Sequence, residues 1–146
     1  MTETQDITSF TGRNAFLSNF FIEADGLTAE HRFQASKTAE PDERENILSA
    51  PTPGGAKQRG KRCTLAWGKE AWNNGGSAFC MEAVLRKKFS DPTLAAALKA
   101  TGDATLIEGN RWHDNLWGSC LCPRPACAKP GQNRLGKILM AIRDEM

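Results

Sequence analysis

The chain has 146 residues, of which 40% are hydrophobic, and its 19 basic and 17 acidic residues give a net charge of +2. This composition is typical of a globular protein with one domain, and the charge is too balanced to indicate a nucleic-acid-binding protein. No apolar run approaches the roughly 18 residues that a membrane span needs. Residues 1–8 lack the basic and apolar regions of a signal peptide, so we expect a loose leader, one domain over residues 9–146 and a cytoplasmic location.

The first half of the chain is predicted to form short strands followed by helices. Residues 7–28 contain several aromatic and β-branched residues, and Asp25-Gly26 is a typical hairpin turn. A helix is predicted over about residues 29–39. Proline in a first helical turn predicts two further helices, which begin at Pro41 and Pro53.

Three more helices are predicted in the second half. Ser77 can cap a helix that runs to about Phe89, and Asp91-Pro92 begins another that ends at Gly102. Residues 133–143 have apolar side chains spaced as one buried helix face. The predicted fold is therefore α+β: a predominantly helical single domain with a small N-terminal antiparallel β-sheet.

The segment from Glu30 to Lys37 carries the most unusual set of side chains. In a helix, Glu30, Phe33, Gln34 and Lys37 lie on one stripe, at positions i, i+3, i+4 and i+7. This stripe is too polar for a core face, and its acid and amine are too far apart for a helix surface pair. The pattern predicts a pocket where acid and amine act on one substrate. The alternatives are a buried cap or ion pair for Glu30 and phosphate binding for Lys37.

A second unusual segment is the loop of residues 109–118, which contains two Trp, one His, one Asp and two Asn. Such a loop suits a site that stacks a flat ring and holds polar atoms around it. The alternative is a structural loop in which Asp114 caps a turn. Asn133 has two interpretations as well, as a helix cap alone or as part of a phosphate site at a helix start. Ser18-Asn19 are either turn residues or polar groups of a pocket.

Residues 57–62, Lys-Gln-Arg-Gly-Lys-Arg, form a local basic cluster. A solvated helix face is the common meaning of such a run. A site for a phosphate-bearing ligand is the alternative, and the sequence is compatible with both.

Three cysteines, Cys120, Cys122 and Cys127, lie within eight residues of each other. They suggest a structural zinc site, although zinc ligands more often come in Cys pairs two to four residues apart. Free thiols are the alternative, and disulfides are disfavoured in the cytoplasm. The possible fourth zinc ligands are His113, Cys63 and Cys80.

Five motifs together resemble one known family. They are T-x-E-H-x-F-Q-A-x-K at residues 28–37, F-L-S-N-F at 16–20, A-T-G at 100–102, D-x-x-W-G at 114–118 and G-x-N-x-L-G-x-x-L-M-x-x-R at 131–143. Taken in their order along the chain, they resemble the NADAR or YbiA-like family and span most of the chain.

The resemblance implies a metal-independent N-glycosidase that needs no cofactor. The family's substrates are phosphorylated riboflavin-pathway intermediates and ADP-ribose attached to guanine in nucleic acid. We therefore expect a ribose-phosphate or ADP-ribose substrate, including ADP-ribosylated DNA or RNA. The implied catalytic residues are Glu30, Lys37 and Asp114. The implied substrate-binding residues are Ser18, Asn19, His31, Gln34, Trp72, Trp117, Gly118 and Asn133.

The residue types fit this chemistry. Breaking an N-glycosidic bond places positive charge on the anomeric carbon, which a carboxylate stabilises, and negative charge on the leaving nitrogen, which an acid protonates. A lysine in a dry pocket loses its proton more readily and can attack C1 to give a Schiff base. Two other classes remain open: a non-catalytic module that binds ADP-ribose or a nucleotide, and a small zinc-stabilised interaction domain.

The chain departs from the family pattern between Trp67 and Cys80. Family members usually have a continuous helix there, whereas Asn73-Asn74-Gly75-Gly76 is a cluster of helix breakers. We therefore predict an interrupted helix, with Trp72 as the counterpart of the family tryptophan and a possible change in substrate preference.

Overall fold

The computed structural model describes residues 5–146, and over that range it contains seven α-helices and one two-stranded sheet. The predicted α+β, predominantly helical fold class is confirmed. The α-helices are α1 (Ala29–Ala35), α2 (Pro41–Leu48), α3 (Pro53–Gly60), α4 (Gly68–Ala71), α5 (Ser77–Lys88), α6 (Pro92–Ala100) and α7 (Arg134–Asp144). None of the helices in residues 5–146 is long and apolar enough to cross a bilayer.

The sheet lies elsewhere than predicted. It consists of β1 (Gly109–Asn110) and β2 (Ser119–Cys120), which pair in parallel. Residues 7–28 instead contain a 3₁₀-helix, Gly12–Leu17, and make two isolated bridges. The predicted hairpin is reduced to one antiparallel bridge between Ile22 and Thr28, because α1 begins directly after Thr28.

The end of the predicted leader takes part in the fold. Ile7 forms a parallel bridge with Leu106 and hydrogen-bonds through its backbone to Thr105 and Ile107, at 2.9 and 2.8 Å. Residues 1–4 of that leader lie outside the described residues.

The described residues group into two compact units. One is Asn19–Lys88, and the other joins the residues up to Ser18 with Phe89–Met146. In the first unit, α1 packs against α2, α3 and α5. A small apolar core in this unit consists of Ala35, Ile47, Ala50 and Ala56, with Leu48 and Cys63 against it.

The predicted helix interruption is confirmed. Trp72–Gly76 separates α4 from α5, and Asn74 and Gly75 have non-helical backbone angles there. Gly75 has φ 115°, which side-chain-bearing residues rarely adopt. The break therefore follows from the breaker cluster, and Trp72 stands at its N-terminal side.

The second unit contains α6 and α7. The Asp91 side chain accepts hydrogen bonds from the backbone of Thr93 and Leu94 and so caps α6, with Pro92 in its first turn. In α7 one face is buried, as the spacing predicts. Its buried apolar residues are Leu135, Leu139 and Ile142.

Candidate functional site

The start of α1 holds a carboxylate away from solvent. Thr28 caps the helix, since its hydroxyl accepts a hydrogen bond from the His31 N–H at 3.2 Å. Glu30 follows in the first turn and is only 7% exposed, and its backbone N–H donates to the Asn19 carbonyl at 3.0 Å. Negative charge is favoured in a first helical turn, so the fold can hold an ionised carboxylate here.

Gln34 fixes the Glu30 side chain. The Gln34 amide nitrogen donates to Glu30 Oε1 at 2.8 Å, one turn along the helix. Gly60, at the end of α3, leaves space for the same amide: a Cβ at Gly60 would lie 2.0 Å from Gln34 Oε1. We assign Gln34 as a positioning residue for Glu30.

Lys37 does not lie in the helix, contrary to the sequence pattern. α1 ends at Ala35, where the carbonyl accepts a hydrogen bond from Arg44 at 3.0 Å. Lys37 follows in a tight turn, in which its N–H donates to the Gln34 carbonyl at 3.2 Å. The Ala66 N–H, in turn, donates to the Lys37 carbonyl at 2.8 Å. The backbone of Lys37 is therefore fixed from both sides, while its side chain is half-buried.

An aromatic ring stands beside the Lys37 amine. Lys37 Nζ lies 5.8 Å from the centroid of the Trp72 ring. That ring also packs on Phe33, with centroids 5.4 Å apart and an angle of 38° between planes. The helix break after Trp72 thus presents the indole to the segment that carries Glu30 and Lys37.

The environment of Lys37 lowers the pKa of its amine. Burial lowers its pKa below the usual 10.5, while the Cys63 sulfur, when ionised, and the Glu30 carboxylate oppose this shift. The positive charges of Lys57 and Lys61 lower the pKa of Lys37 further. These two lysines belong to the basic cluster of residues 57–62, so that cluster acts electrostatically on Lys37.

A second lysine in this unit, Lys88, is buried too deeply for a substrate to reach it. Burial lowers the pKa of Lys88 to about 8, and the side chain is only 1% exposed. Its ammonium lies 5.5 Å from the centroid of the Phe21 ring. A substrate carbon cannot approach such an enclosed amine, which leaves Lys37 as the better candidate nucleophile.

Two other predicted binding residues in this unit have different surroundings. Both ring nitrogens of His31 are engaged, with the Thr28 hydroxyl and the Ala50 carbonyl, each at 2.8 Å. No ring nitrogen of His31 is left for a ligand, which argues against the predicted role of this ring in substrate binding. Asn19 makes a long contact with the Met81 sulfur at 3.5 Å, and its buried Oδ1 has no hydrogen-bond partner among the described residues.

In the other unit, the loop of residues 109–118 is organised by hydrogen bonds to its own backbone. Asp114 Oδ1 accepts from the N–H groups of Leu116 and Trp117, at 3.1 and 2.9 Å. The Asn110 amide donates to the Asp114 carbonyl at 2.8 Å, and its oxygen accepts from the Asp114 N–H at 3.2 Å. This geometry favours Asp114 as a turn cap, the structural alternative, over a role in proton transfer.

Asn133 and Gly118 have structural roles in the same unit. Asn133 does not cap α7 with its side chain but adopts φ 50°, and its amide bridges the Leu106 carbonyl and the Glu108 N–H, at 2.8 and 3.0 Å. A Cβ at Gly118 would lie 2.2 Å from the Glu108 carbonyl oxygen. Ser18 ends the 3₁₀-helix, where its N–H donates to Ala15.

The cysteines separate into different places. Cys120, Cys122 and Cys127 come together with His113, whereas Cys63 and Cys80 belong to the other unit. The loop brings the three thiols together with His113, although their separations in sequence differ from those of common zinc motifs.

Two contributors, Gly60 and Asn110, were not singled out from the sequence as site residues, and Cys63 was considered there only as a zinc ligand. Gly60 and Cys63 lie beside Gln34 and Lys37, and Asn110 organises the loop. The one available signal was Gly60, an unexpected glycine within a basic helical run.

The NADAR domain family model matches residues 11–146, so the chain belongs to the NADAR family. N-glycosidase Npun_R5314 of Nostoc punctiforme is 33% identical over 122 residues, which cover 82% of this chain and 73% of the relative. N-glycosidase YbiA of Escherichia coli is 33% identical over 129 residues, covering 86% of this chain and 75% of YbiA.

Two further comparisons concern a longer relative and a solved structure. Riboflavin biosynthesis protein VVA0006 of Vibrio vulnificus is 32% identical over 140 residues, which are 91% of this chain but only 36% of the relative. The NMR structure of E. coli YbiA is similar with a TM-score of 0.77 and 29% identity, over 99% of this chain and 86% of that one. The family resemblance seen in the motifs is thereby confirmed.

Proposed function

We propose that this chain is an N-glycosidase that hydrolyses the bond between a ribose C1 and a base nitrogen in a phosphate-bearing substrate. The observation that carries the proposal is the Lys37 amine: its pKa is lowered by burial, it lies beside Trp72, and it shares a short segment with the buried Glu30. The relatives named N-glycosidases support the same activity.

In the first step, the neutral Lys37 amine attacks ribose C1. The new C–N bond forms as the bond from C1 to the base breaks, and the electron pair of that bond goes to the base nitrogen. Glu30 takes a proton from the attacking nitrogen and delivers it to the departing base. Its carboxylate also stabilises the positive charge that develops at C1.

In the second step, the sugar is released with its phosphate groups still attached, as a sugar phosphate or as ADP-ribose. The lone pair on Lys37 Nζ forms a C=N bond as the bond from C1 to the ring oxygen breaks, and that oxygen takes up a proton. Water then adds to the C=N bond of the protonated Schiff base and loses a proton to give a carbinolamine. Its C1–Nζ bond breaks, which regenerates the Lys37 amine and leaves an aldehyde at C1. The hydroxyl that was the ring oxygen adds to this aldehyde and closes the ring, with a hydroxyl at C1. The net reaction consumes one water and releases the protonated base.

The neighbouring residues supply binding and positioning. Trp72 offers a flat face beside Lys37 for stacking on the sugar or base, and Gln34 holds Glu30 in place. Lys57 and Lys61 provide positive potential toward the same segment, as a phosphate group requires. In the other unit, Asp114 is proposed as the residue that positions its own loop, and Trp117 in that loop keeps its predicted role as an aromatic stacking residue.

Two substrates meet these chemical requirements. One is ADP-ribose attached to guanine in nucleic acid, whose modified base can be recognised locally without a strongly basic protein surface. The other is a phosphorylated riboflavin-pathway intermediate, which the name of the Vibrio vulnificus relative favours. Both present a ribose C1 bonded to nitrogen and at least one phosphate.

The test compares wild type with Lys37→Ala on both substrates. Each protein is incubated with an oligonucleotide carrying ADP-ribosylated guanine and, separately, with a ribosylaminopyrimidine phosphate, and the products are identified by mass spectrometry. We expect wild type to cleave one of them, giving either ADP-ribose and the unmodified oligonucleotide or the free base and a sugar phosphate. Lys37→Ala should lose at least about 10³-fold in turnover while keeping its thermal midpoint, because a half-buried side chain in a turn contributes little to packing.

Borohydride reduction tests the covalent step itself. In the presence of substrate we expect a mass adduct on the peptide that contains Lys37, and none on peptides with Lys57, Lys61 or Lys88. Lys99→Ala, an exposed change in α6, serves as the control. Turnover by Lys37→Ala at the wild-type rate would exclude the nucleophile, and tight ADP-ribose binding without base release would favour the binding module.

A further inference from the structure

Four metal-ligating side chains converge on the loop that follows β1. They are His113, Cys120, Cys122 and Cys127, and the ligand atoms of all four lie within 4.8 Å of one another. His113 Nδ1 lies 3.6, 3.4 and 3.5 Å from the sulfurs of Cys120, Cys122 and Cys127. A single ring nitrogen has one lone pair or one N–H, so three equal contacts indicate a shared centre rather than three hydrogen bonds.

These distances match those of a tetrahedral zinc site. With Zn–S bonds of about 2.3 Å and a Zn–N bond of about 2.0–2.1 Å, tetrahedral angles separate the nitrogen from each sulfur by about 3.5–3.6 Å. The donor set, three sulfurs and one nitrogen, suits Zn²⁺ and is unlike the oxygen sets that Mg²⁺ and Ca²⁺ prefer. A disulfide does not account for the cluster, since all the cysteines are free thiols and the three form no bonded pair.

The backbone and a neighbouring amide support this arrangement. His113 has φ 68°, a left-handed conformation that a residue other than glycine adopts at a cost, and this turns its ring toward the thiols. The Asn115 amide donates to the Cys127 sulfur and the Cys122 N–H donates to the Cys120 sulfur, each at 3.5 Å. N–H groups directed at sulfur are the usual outer-shell partners of metal-bound thiolates.

The loop also lacks an apolar anchor of its own. In residues 121–130, Cys127 is the one buried residue, and nearly all the others are exposed. A surface loop with so little buried area needs a covalent or metal link to hold one conformation. Cys127 reaches inward at the end of a 3₁₀-helix, Pro125–Cys127, which brings its sulfur to the cluster.

We propose that His113, Cys120, Cys122 and Cys127 bind one Zn²⁺ in a closed, structural site that fixes the loop of residues 109–131. All four tetrahedral positions are taken by protein ligands, so the ion has no open position for a substrate. This assignment does not depend on the N-glycosidase activity. Because His113 immediately precedes Asp114, the bound ion would also hold in place the start of the segment that contains Asp114 and Trp117.

The first test is the metal content of the purified full chain. Elemental analysis and native mass spectrometry should find one zinc per chain in wild type and in the control Cys63→Ser, whose cysteine lies in the other unit. Cys122→Ser and His113→Ala should lose most of the metal. Replacement of the ion by Co²⁺ should give the visible absorption bands of a tetrahedral thiolate site.

The second test uses wild type alone, so it does not require the variants to fold. Cys120, Cys122 and Cys127 should react slowly with a thiol reagent and become reactive when a zinc chelator is added. Cys63 should react at the same rate in both conditions. The proposal is overturned if the folded chain carries no stoichiometric metal, if iron replaces zinc, or if the chelator leaves the reactivity of all three thiols unchanged.

Discussion

The segment of residues 28–37 and the loop of residues 109–118 carry similar polar side chains but use them differently. In the loop, Asp114 and Asn110 are engaged by backbone groups of the loop itself. In the α1 segment, Glu30 is held by another side chain, Gln34, and Lys37 stands beside an aromatic ring. Side chains that hydrogen-bond to nearby backbone groups fix the conformation of a loop. An acid and an amine that contact only other side chains through the groups named here remain available to a substrate.

Replacement of Glu30 is the most direct way to test this comparison. Glu30→Gln keeps the shape of the side chain but removes its capacity to accept and return a proton. We expect a loss of about 10²–10⁴-fold in kcat with little change in KM. The measurement is steady-state kinetics on whichever of the two proposed substrates wild type cleaves, with circular dichroism to show that the fold is retained.

The same isosteric change at Asp114 should have a much smaller effect. Asp114→Asn retains an oxygen that can accept the N–H groups of Leu116 and Trp117, so the turn is kept. We expect less than about a tenfold loss in kcat, well below the range for general acid–base catalysis. A loss as large as that of Glu30→Gln would refute the division between the two regions.

Asn133 tests how much the second unit depends on polar bridges. Asn133→Ala leaves the Leu106 carbonyl and the Glu108 N–H without their partner and places alanine at φ 50°. We expect the free energy of unfolding to fall by about 2–4 kcal/mol, measured by urea denaturation. Asn133→Gly is the matched control, because glycine adopts φ 50° without strain but also lacks the side chain that makes both hydrogen bonds. A Gly variant as stable as wild type would show that backbone conformation alone matters there.

The smallest expected effect concerns the pH dependence of the reaction. The neutral form of Lys37 is the nucleophile, so kcat/KM should rise with pH until the pH passes the pKa of Lys37. Lys57 and Lys61 lower that pKa. Their double replacement by Gln should therefore move the rising limb to higher pH, by about a few tenths of a unit, and less at high salt. Lys99→Gln is the control. If the double variant leaves the pH dependence of kcat/KM unchanged, Lys57 and Lys61 do not affect the pKa of Lys37.

Local sequence signals predicted most of the helices. Asp91-Pro92 begins α6, and the breaker cluster of residues 73–76 divides the helix where expected. Each of these signals acts within one helical turn, so sequence alone is sufficient. The predicted N-terminal sheet is wrong for a related reason. The chain enters α1 directly after the Ile22–Thr28 bridge, so the strand pairing does not extend beyond that bridge.

The candidate site was predictable in its residue types but not in its roles. The motifs identified Glu30, Lys37 and Asp114, yet no pattern indicated that α1 ends before Lys37. The use of Asn133 depends on partners more than 20 residues away along the chain, at Leu106 and Glu108. Long-range pairing of this kind is decided by tertiary packing, which single-sequence signals do not contain.

The packing of Trp72 beside Lys37 also equips the molecule with an optical reporter. The chain contains four tryptophans and no tyrosine, so all of its near-ultraviolet emission comes from indole rings. Trp67 and Trp72 belong to the first unit, and Trp112 and Trp117 to the second. In a Trp72-only variant, quenching by substrate would follow events at the amine in real time. The matching Trp117-only variant would follow its loop, so the two regions can be observed one at a time.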